Sequence, residues 1–121
     1  MRARAAAEAW GLPYLERARN AAAPQGADAL LVLGGDGWTL WTPDGALRFT
    51  PGMAQLRIKR FVQGHDEDML IRLGGLKAGD AVLDCTMGLG ADALVAARVV
   101  GPTGSVVALE KSLPLYALAA D

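Results

Sequence analysis

The chain has 121 residues, which suits one ordinary domain, and 52% of them are hydrophobic, which excludes an intrinsically disordered protein. Residues 1–60 carry eight basic and five acidic side chains and residues 61–121 carry four and eight, so any polyanion would meet the first half. The single Cys85 allows no internal disulfide or zinc site, and no apolar run reaches the roughly 20 residues of a membrane span, so we expect a cytoplasmic protein.

The first half of the sequence predicts an antiparallel β meander. An alanine-rich stretch at 3–9 comes first and predicts a short helix. Turn signals, led by Asp36-Gly37, then separate apolar runs rich in strand-forming residues. These runs predict three strands, at residues 29–33, 38–42 and 46–50.

Two tryptophans lie on the predicted middle strand. Trp38 and Trp41 are three positions apart, so their side chains point to opposite faces of that strand. This arrangement favours one core residue and one partly buried surface residue over a platform on which bases stack.

A basic helix is predicted after the meander. Thr50-Pro51 offers a capping hydroxyl and a proline for the first turn, and Gly64 ends the segment. Arg57, Lys59 and Arg60 concentrate positive charge here. Two interpretations stay open, a solvated helix face and a weak RNA-binding surface. We take residues 1–64 as an N-terminal α+β region.

A second region is predicted at residues 65–121, and it opens with another helix. Asp66 is predicted to cap this helix, with Glu67 and Asp68 in the first turn, where the helix dipole favours acids, and Gly74 at the end.

The most informative stretch is an apolar strand that ends in a carboxylate and is followed by two glycines. Residues 81–86 predict the strand, which carries Asp84 near its end, and Gly88 and Gly90 follow in a tight loop. Because glycine has no Cβ, the main chain of this loop can approach a ligand closely. The sequence therefore predicts a cofactor-binding loop. Cys85 beside it is predicted to be a small core residue.

The loop leads into a helix and then into a second strand. The helix is predicted at residues 91–100, and the residues expected to be buried are Leu94, Val95, Ala97 and Val99. The next apolar run, at 105–110, ends in Glu110, which lies 20 positions after Gly90. A carboxylate at that spacing, at the end of a neighbouring parallel strand, meets the ribose of a nucleoside cofactor.

These elements predict an α/β fold, the strand-helix-strand beginning of a Rossmann-like domain, preceded by the meander. Two core strands do not make the open parallel sheet of this class, so the sheet is expected to be incomplete. We therefore expect the 121 residues to be the front portion of a longer protein. As an isolated chain, these residues should bind cofactor weakly and catalyse no reaction.

Three functions compete for the loop. Residues 88–93 satisfy the G-x-G-x-x-A pattern of an enzyme that binds NAD(P) or FAD. Asp84 favours S-adenosylmethionine instead, because a carboxylate repels a pyrophosphate and attracts the amino group and sulfonium of this methyl donor. The third possibility is a non-catalytic domain that keeps the loop only as scaffold.

Three stretches, at residues 51–60, 83–93 and 109–114, resemble the RsmJ-type family of bacterial methyltransferases. The resemblance implies a class I S-adenosylmethionine-dependent enzyme that methylates the exocyclic amine of a guanine in small-subunit ribosomal RNA. It also implies that Ala91, Asp92, Glu110 and Lys111 line the cofactor site. The polar acceptor that methylation of a base amine usually needs lies at the end of a fourth core strand. That strand is not found in these 121 residues, so no catalytic residue can be named. The full predicted cofactor set is Asp84, Gly88, Gly90, Ala91, Asp92, Glu110 and Lys111.

Overall fold

The computed structural model describes residues 2–16, 18, 21–22, 24–65 and 67–120, and within them the chain forms a mixed α/β fold with two small sheets. The predicted mixed α/β class is thus confirmed. The helices are α1 (Arg2–Ala9), α2 (Gly52–Val62), α3 (Met69–Gly74), α4 (Ala91–Val100) and α5 (Leu113–Ala119). The strands are β1 (Leu30–Gly34), β2 (Gly37–Thr42), β3 (Gly45–Arg48), β4 (Ala81–Asp84) and β5 (Ser105–Ala108).

The predicted antiparallel meander is confirmed as the sheet β1-β2-β3. β1 and β2 join where Gly34 pairs with Gly37, and β2 and β3 join where Thr42 pairs with Gly45. Gly37 and Gly45 have φ angles of 96° and 138°, which residues with a Cβ rarely adopt. The glycines therefore permit both tight reversals.

The two tryptophans of β2 lie on opposite faces as predicted, but Trp38 is only partly buried and does not belong to the core. The ring of Trp38 lies against Trp10, with the ring centroids 5.5 Å apart and the planes tilted by 49°. Trp41, on the opposite face, is 49% exposed. Aromatic pairs favour such a tilted arrangement, so the Trp10–Trp38 contact helps to hold the N-terminal segment on the sheet.

Helix α5 packs against β2 and links the end of the chain to the first sheet. Ala117 and Leu118 of α5 are buried, as are Thr39 and Leu40 at the middle of β2. Because successive side chains of a strand point to opposite faces, burial of both Thr39 and Leu40 means that β2 is covered on both sides there. The elements on either side of the predicted boundary at residues 64 and 65 are therefore in contact, and the boundary itself stays a prediction.

Helices α2 and α3 begin differently from the prediction. The N-cap residue of α2 is Pro51, and no side chain accepts a hydrogen bond there, so the Thr50 hydroxyl does not cap the helix. The predicted cap of α3, Asp66, lies outside the described residues. Asp68 occupies the N-cap position and accepts two backbone N–H groups of α3, so its predicted place in the first turn is wrong. The extended backbone of Asp68, with φ −68° and ψ 118°, is the conformation that N-cap residues favour.

The second sheet is the parallel pair β4 and β5, joined through α4. The register runs from Ala81 opposite Ser105 to Asp84 opposite Ala108, and α4 packs against both strands. The helix has the predicted bounds, but its buried residues are Val95, Ala96, Val99 and Val100. Leu94 and Ala97 are exposed, so the buried stripe is rotated from the predicted one.

The face of this sheet that points away from α4 is apolar and exposed. Leu83, Val107 and Leu109 are 60%, 55% and 51% exposed. Cys85 follows the same alternation as Leu83 and is exposed too, so its predicted place in the core is wrong. The described elements cover only the face that carries Asp84.

Candidate functional site

The loop between β4 and α4 is fixed to the end of β5 by backbone hydrogen bonds. The N–H of Leu109 donates to the carbonyl oxygen of Asp84 at 2.7 Å, and the N–H of Met87 donates to the carbonyl oxygen of Leu109 at 2.9 Å. The N–H of Gly90 donates to the carbonyl oxygen of Met87 at 2.8 Å, just before α4 begins. The loop is therefore a defined structure at the carboxyl end of the parallel pair, where α/β folds bind ligands.

Both glycines of the loop have a left-handed backbone conformation. Gly88 has φ 55° and Gly90 has φ 78°, and Gly90 is the N-cap residue of α4. A Cβ built on Gly90 would have no described atom of another segment within 4 Å. The requirement for glycine at this position thus comes from the backbone angle, and the ligand cradle stays a prediction.

The carboxylate of Asp84 is only half used by the protein. Its Oδ1 accepts the N–H of Thr86 at 3.0 Å, so one oxygen holds the loop. Its Oδ2 is buried and has no hydrogen-bond partner among the described residues. A buried polar oxygen without a partner costs free energy, so this site favours a ligand that brings a donor. A donor can reach the covered Oδ2 only if the side chains around it move.

Glu110 fastens the glycine loop to the segment after β5. Its Oε2 accepts the N–H of Gly88 at 2.8 Å, and its Oε1 accepts the N–H of Ser112 at 2.7 Å. The hydrogen bond from Ser112 and then the one from Gly88 lower the pKa of this carboxyl from 4.5. Each carboxylate oxygen has a further lone pair, so the predicted role of accepting ribose hydroxyls is still open to Glu110.

The remaining predicted cofactor residues lie beside this loop. Ala91 begins α4 and is half-buried, and Asp92 follows in the first turn with an exposed side chain. Lys111 is exposed and comes directly after Glu110. The structure thus brings the predicted set to the carboxyl end of the β4/β5 pair and the start of α4.

Arg57 of α2 joins three helices through its guanidinium group. Its Nε and Nη2 donate to the two carboxylate oxygens of Asp68, at 2.7 and 3.1 Å. Its Nη1 donates to Oδ1 of Asp92 at 2.5 Å. The hydrogen bonds to Asp68 raise the pKa of Arg57, and the same contacts lower the pKa of Asp68 from 3.8. The two hydrogen bonds to Asp68 and the one to Asp92 together fix the orientation of the guanidinium plane.

The three predicted RNA-binding residues therefore differ in what they can contact. Arg57 directs three nitrogens to carboxylates, and Arg60 pairs with Glu67. Lys59 is exposed on α2. A cleft of about 280 Å³ opens beside the two arginines, between α2 and α3, and its lining carries both signs of charge. Its residues are Arg57, Arg60, His65, Glu67, Asp68 and Met69.

Sequence reasoning missed Asp68 as a member of this cluster. Arg57 is 11 positions from Asp68 and 35 from Asp92, and no periodicity connects residues at such separations. The one available signal was an acidic residue before a short apolar run, which marks an N-cap. Asp66 and Asp68 both carry that signal, and the prediction chose Asp66 as the cap, whereas Asp68 occupies the N-cap position.

Two further properties bear on the kind of site. Among the described residues, no group of three or more His, Cys, Asp or Glu side chains could hold a metal ion. In the same part of the chain, every helix is too short or too polar to cross a lipid bilayer.

Part of the chain is similar to a protein of Bacillus subtilis. The chain is 52% identical over 84 residues to YpiP, an uncharacterized protein of Bacillus subtilis (strain 168). The aligned part is 69% of this chain and 32% of YpiP, so the chain spans about a third of the length of that relative. No family model matches the chain, and no solved structure matches it. Since YpiP is uncharacterized, the similarity transfers no activity to this chain.

Proposed function

We propose that the protein is an S-adenosylmethionine-dependent methyltransferase whose cofactor binds at the loop between β4 and α4. The observation that carries the proposal is the buried Oδ2 of Asp84, which lacks a partner among the described residues. A carboxylate in that position favours a cationic donor, because charge-assisted hydrogen bonds are stronger than neutral ones. The amino group of S-adenosylmethionine is such a donor.

The carboxylates at the loop argue against a dinucleotide. A pyrophosphate is an anion that binds backbone N–H groups of a glycine loop and of the helix that follows it. Here the N–H of Gly88 is bonded to Glu110 and the N–H of Gly90 is bonded to Met87, so neither loop donor is free for a phosphate. With the carboxylates of Asp84 and Glu110 at the same loop, the site favours a cation over an anion.

The predicted residues fit the methyl donor in distinct roles. Asp84 would accept a hydrogen bond from the amino group of S-adenosylmethionine, and Glu110 would accept from the ribose hydroxyls. The left-handed backbone at Gly88 and Gly90 would let the main chain approach the cofactor closely. When bound, the cofactor supplies an electrophilic methyl group. The chain then contributes orientation and electrostatic stabilisation, which are the main sources of catalysis in a direct group transfer. Ala91, Asp92 and Lys111 complete the predicted lining.

The finer fold assignment belongs to the same proposal. The parallel pair β4/β5 with α4 across one face is the unit with which a Rossmann-like sheet begins. The exposed apolar face formed by Leu83, Val107 and Leu109 supports a further layer packed on that side, because parallel sheets are normally covered on both faces.

We further propose that the substrate is small-subunit ribosomal RNA, with methylation at the exocyclic amine of a guanine. The support is the resemblance of residues 51–60, 83–93 and 109–114 to RsmJ-type enzymes, together with Lys59, an exposed cation on α2. Radiolabelled methyl transfer to ribosomal RNA from a strain that lacks the gene would test this substrate. Transfer to protein and not to RNA would contradict it.

Ligand binding by the full-length protein tests the cofactor. We expect S-adenosylhomocysteine, which retains the amino group, to raise the melting temperature, since saturation at 100 times Kd stabilises by about 2.7 kcal/mol. NAD is expected to leave the melting temperature unchanged. Stabilisation by NAD alone would establish a dinucleotide enzyme instead, and stabilisation by neither would favour a scaffold domain.

The variant Asp84→Asn tests the observation that carries the proposal. The amide keeps an oxygen for the N–H of Thr86 and loses the charge, so affinity for S-adenosylhomocysteine should fall about ten- to a hundredfold. Asp36→Asn, an exposed change in the loop between β1 and β2, serves as the control and should bind normally. Equal affinities for the two variants would refute the role of Asp84.

A further inference from the structure

The ion-pair cluster Arg57–Asp68–Asp92 connects the N-terminal region to the glycine loop. Arg57 lies on α2, Asp68 caps α3 and Asp92 lies in the first turn of α4. These positions are far apart in the sequence, and α2 packs directly against α4. The guanidinium group thus spans the junction of three helices.

Asp68 is the fixed end of the cluster. Its Oδ1 accepts the N–H groups of Leu70 and Ile71 at 3.0 and 3.3 Å, and both its oxygens accept from Arg57. The side chain is only 10% exposed. A carboxylate with four donors at such low exposure has little freedom, so it holds the guanidinium plane in one orientation.

Asp92 is the end of the cluster that reaches the loop. It lies two residues after Gly90, and the N–H of Leu94 donates to the carbonyl oxygen of Gly90 at 2.9 Å in the same helical turn. A constraint on Asp92 therefore fixes the first turn of α4. Gly90 in turn bonds to Met87, so the constraint extends to the backbone of the glycine loop.

We propose that Arg57 is a positioning residue for the cofactor site and acts on the glycine loop through Asp92. This inference rests on the proposed function. It assigns to α2 a role in ligand affinity, in place of the solvated face or weak RNA-binding surface that the sequence left open for Arg57. Asp92 is 62% exposed, so its contact with Arg57 contributes little to global stability and serves instead to place the first turn of α4.

The test combines ligand affinity with local hydrogen exchange in the full-length protein. Asp92→Asn should lower affinity for S-adenosylhomocysteine roughly three- to tenfold and speed exchange of the Gly90 and Leu94 amides, with the melting temperature nearly unchanged. Arg57→Lys keeps the charge but loses the planar fork, so it should give the same local effect. The double variant should bind S-adenosylhomocysteine no more weakly than the worse single variant, because both changes remove the same contact between Arg57 and Asp92.

A matched control comes from the neighbouring pair Arg60–Glu67, which also starts on α2 but does not reach α4. Glu67→Gln should alter neither affinity nor exchange at Gly90. If Glu67→Gln acts like Asp92→Asn, or if the effects of Arg57→Lys and Asp92→Asn on affinity add, the positioning role is overturned. Asp92→Asn leaves the Arg57–Asp68 pair intact, so the test does not depend on whether the Arg57 variant folds.

The outcomes separate this inference from the proposed function. If the wild type binds no S-adenosylhomocysteine but Asp92→Asn still speeds exchange at Gly90, the function fails and the positioning contact stands. If the wild type binds and Asp92→Asn changes neither affinity nor exchange, the function stands and the positioning role fails.

Discussion

The carboxylate of Glu110 accepts the backbone N–H of Gly88 at 2.8 Å and so ties the glycine loop to a residue 22 positions further along the chain. Its other oxygen accepts the N–H of Ser112, at the start of α5. One side chain therefore sets the relative position of the loop, the end of β5 and the last helix.

Replacing Glu110 with glutamine should loosen the loop without unfolding the protein. The amide has one accepting oxygen, so Gly88 or Ser112 loses its charged acceptor. We expect exchange of the Gly88 amide to rise about tenfold. Glu8→Gln, an exposed change on α1, is the control and should leave that amide unaffected. An unchanged exchange rate of the Gly88 amide in Glu110→Gln would contradict a stabilising role for the hydrogen bond from Gly88 to Glu110.

Asp84→Asn should not destabilise the ligand-free protein, in contrast to its expected effect on binding. The wild-type carboxylate has a buried oxygen without a partner, and removing its charge relieves a desolvation penalty. We expect the free energy of unfolding to stay within about 0.5 kcal/mol or to rise. Urea denaturation without ligand measures this, and a loss of more than about 2 kcal/mol would show that the charge serves the fold.

Asp68→Asn should destabilise the protein and flatten its dependence on pH. The change weakens a helix cap and leaves Arg57 without its bidentate partner, at a cost of about 2–3 kcal/mol. The pKa of Asp68 is below its ordinary 3.8, so its contribution is complete above that pH and is lost as the pH falls through the folded pKa. Urea denaturation from about pH 6 to pH 2 should therefore show a steeper loss of stability in the wild type than in the variant. If stability fell with pH equally steeply in the wild type and in Asp68→Asn, the contribution of the Arg57–Asp68 ion pair would be contradicted.

Gly104→Ala should be strongly destabilising because β5 begins close to α4. A Cβ on Gly104 would lie 2.5 Å from Cβ of Val100 and 2.6 Å from the carbonyl oxygen of Asp80, which no side chain tolerates. We expect a loss of about 2–3 kcal/mol from the resulting displacement. Gly52→Ala is the matched control, since its Cβ would meet nothing within 4 Å and it begins α2. That change should be neutral or stabilise by up to about 1 kcal/mol.

Local signals predicted much of the fold. The glycines that flank α4 gave its bounds correctly, and the turn residues around Asp36 gave the order of the meander strands. Local signals failed where the packing of one element on another decides which side chains are buried. Leu94 and Cys85 were expected to be buried. Leu94 is exposed because the buried stripe of α4 is rotated from the predicted one, and Cys85 is exposed because it follows the alternation of the sheet face that points away from α4.

The candidate site was predictable in its residues but not in its connections. Asp84, the two loop glycines and Glu110 follow from strand ends and glycine spacing, which are readable in sequence. The bond from Gly88 to Glu110 and the contact from Arg57 to Asp92 join segments 22 and 35 positions apart. Such contacts depend on how the helices pack, and no pattern within one segment encodes them.

The packing of α5 on β2 also bears on how the chain is made. During synthesis the meander leaves the ribosome some 70 residues before α5, the helix that packs on β2, so the part of β2 that α5 covers is exposed to water until then. Closing so long a loop costs entropy before any contact rewards it, which slows folding. A nascent chain of this protein is therefore most open to chaperones, and to aggregation, in the interval before residues 113–119 emerge.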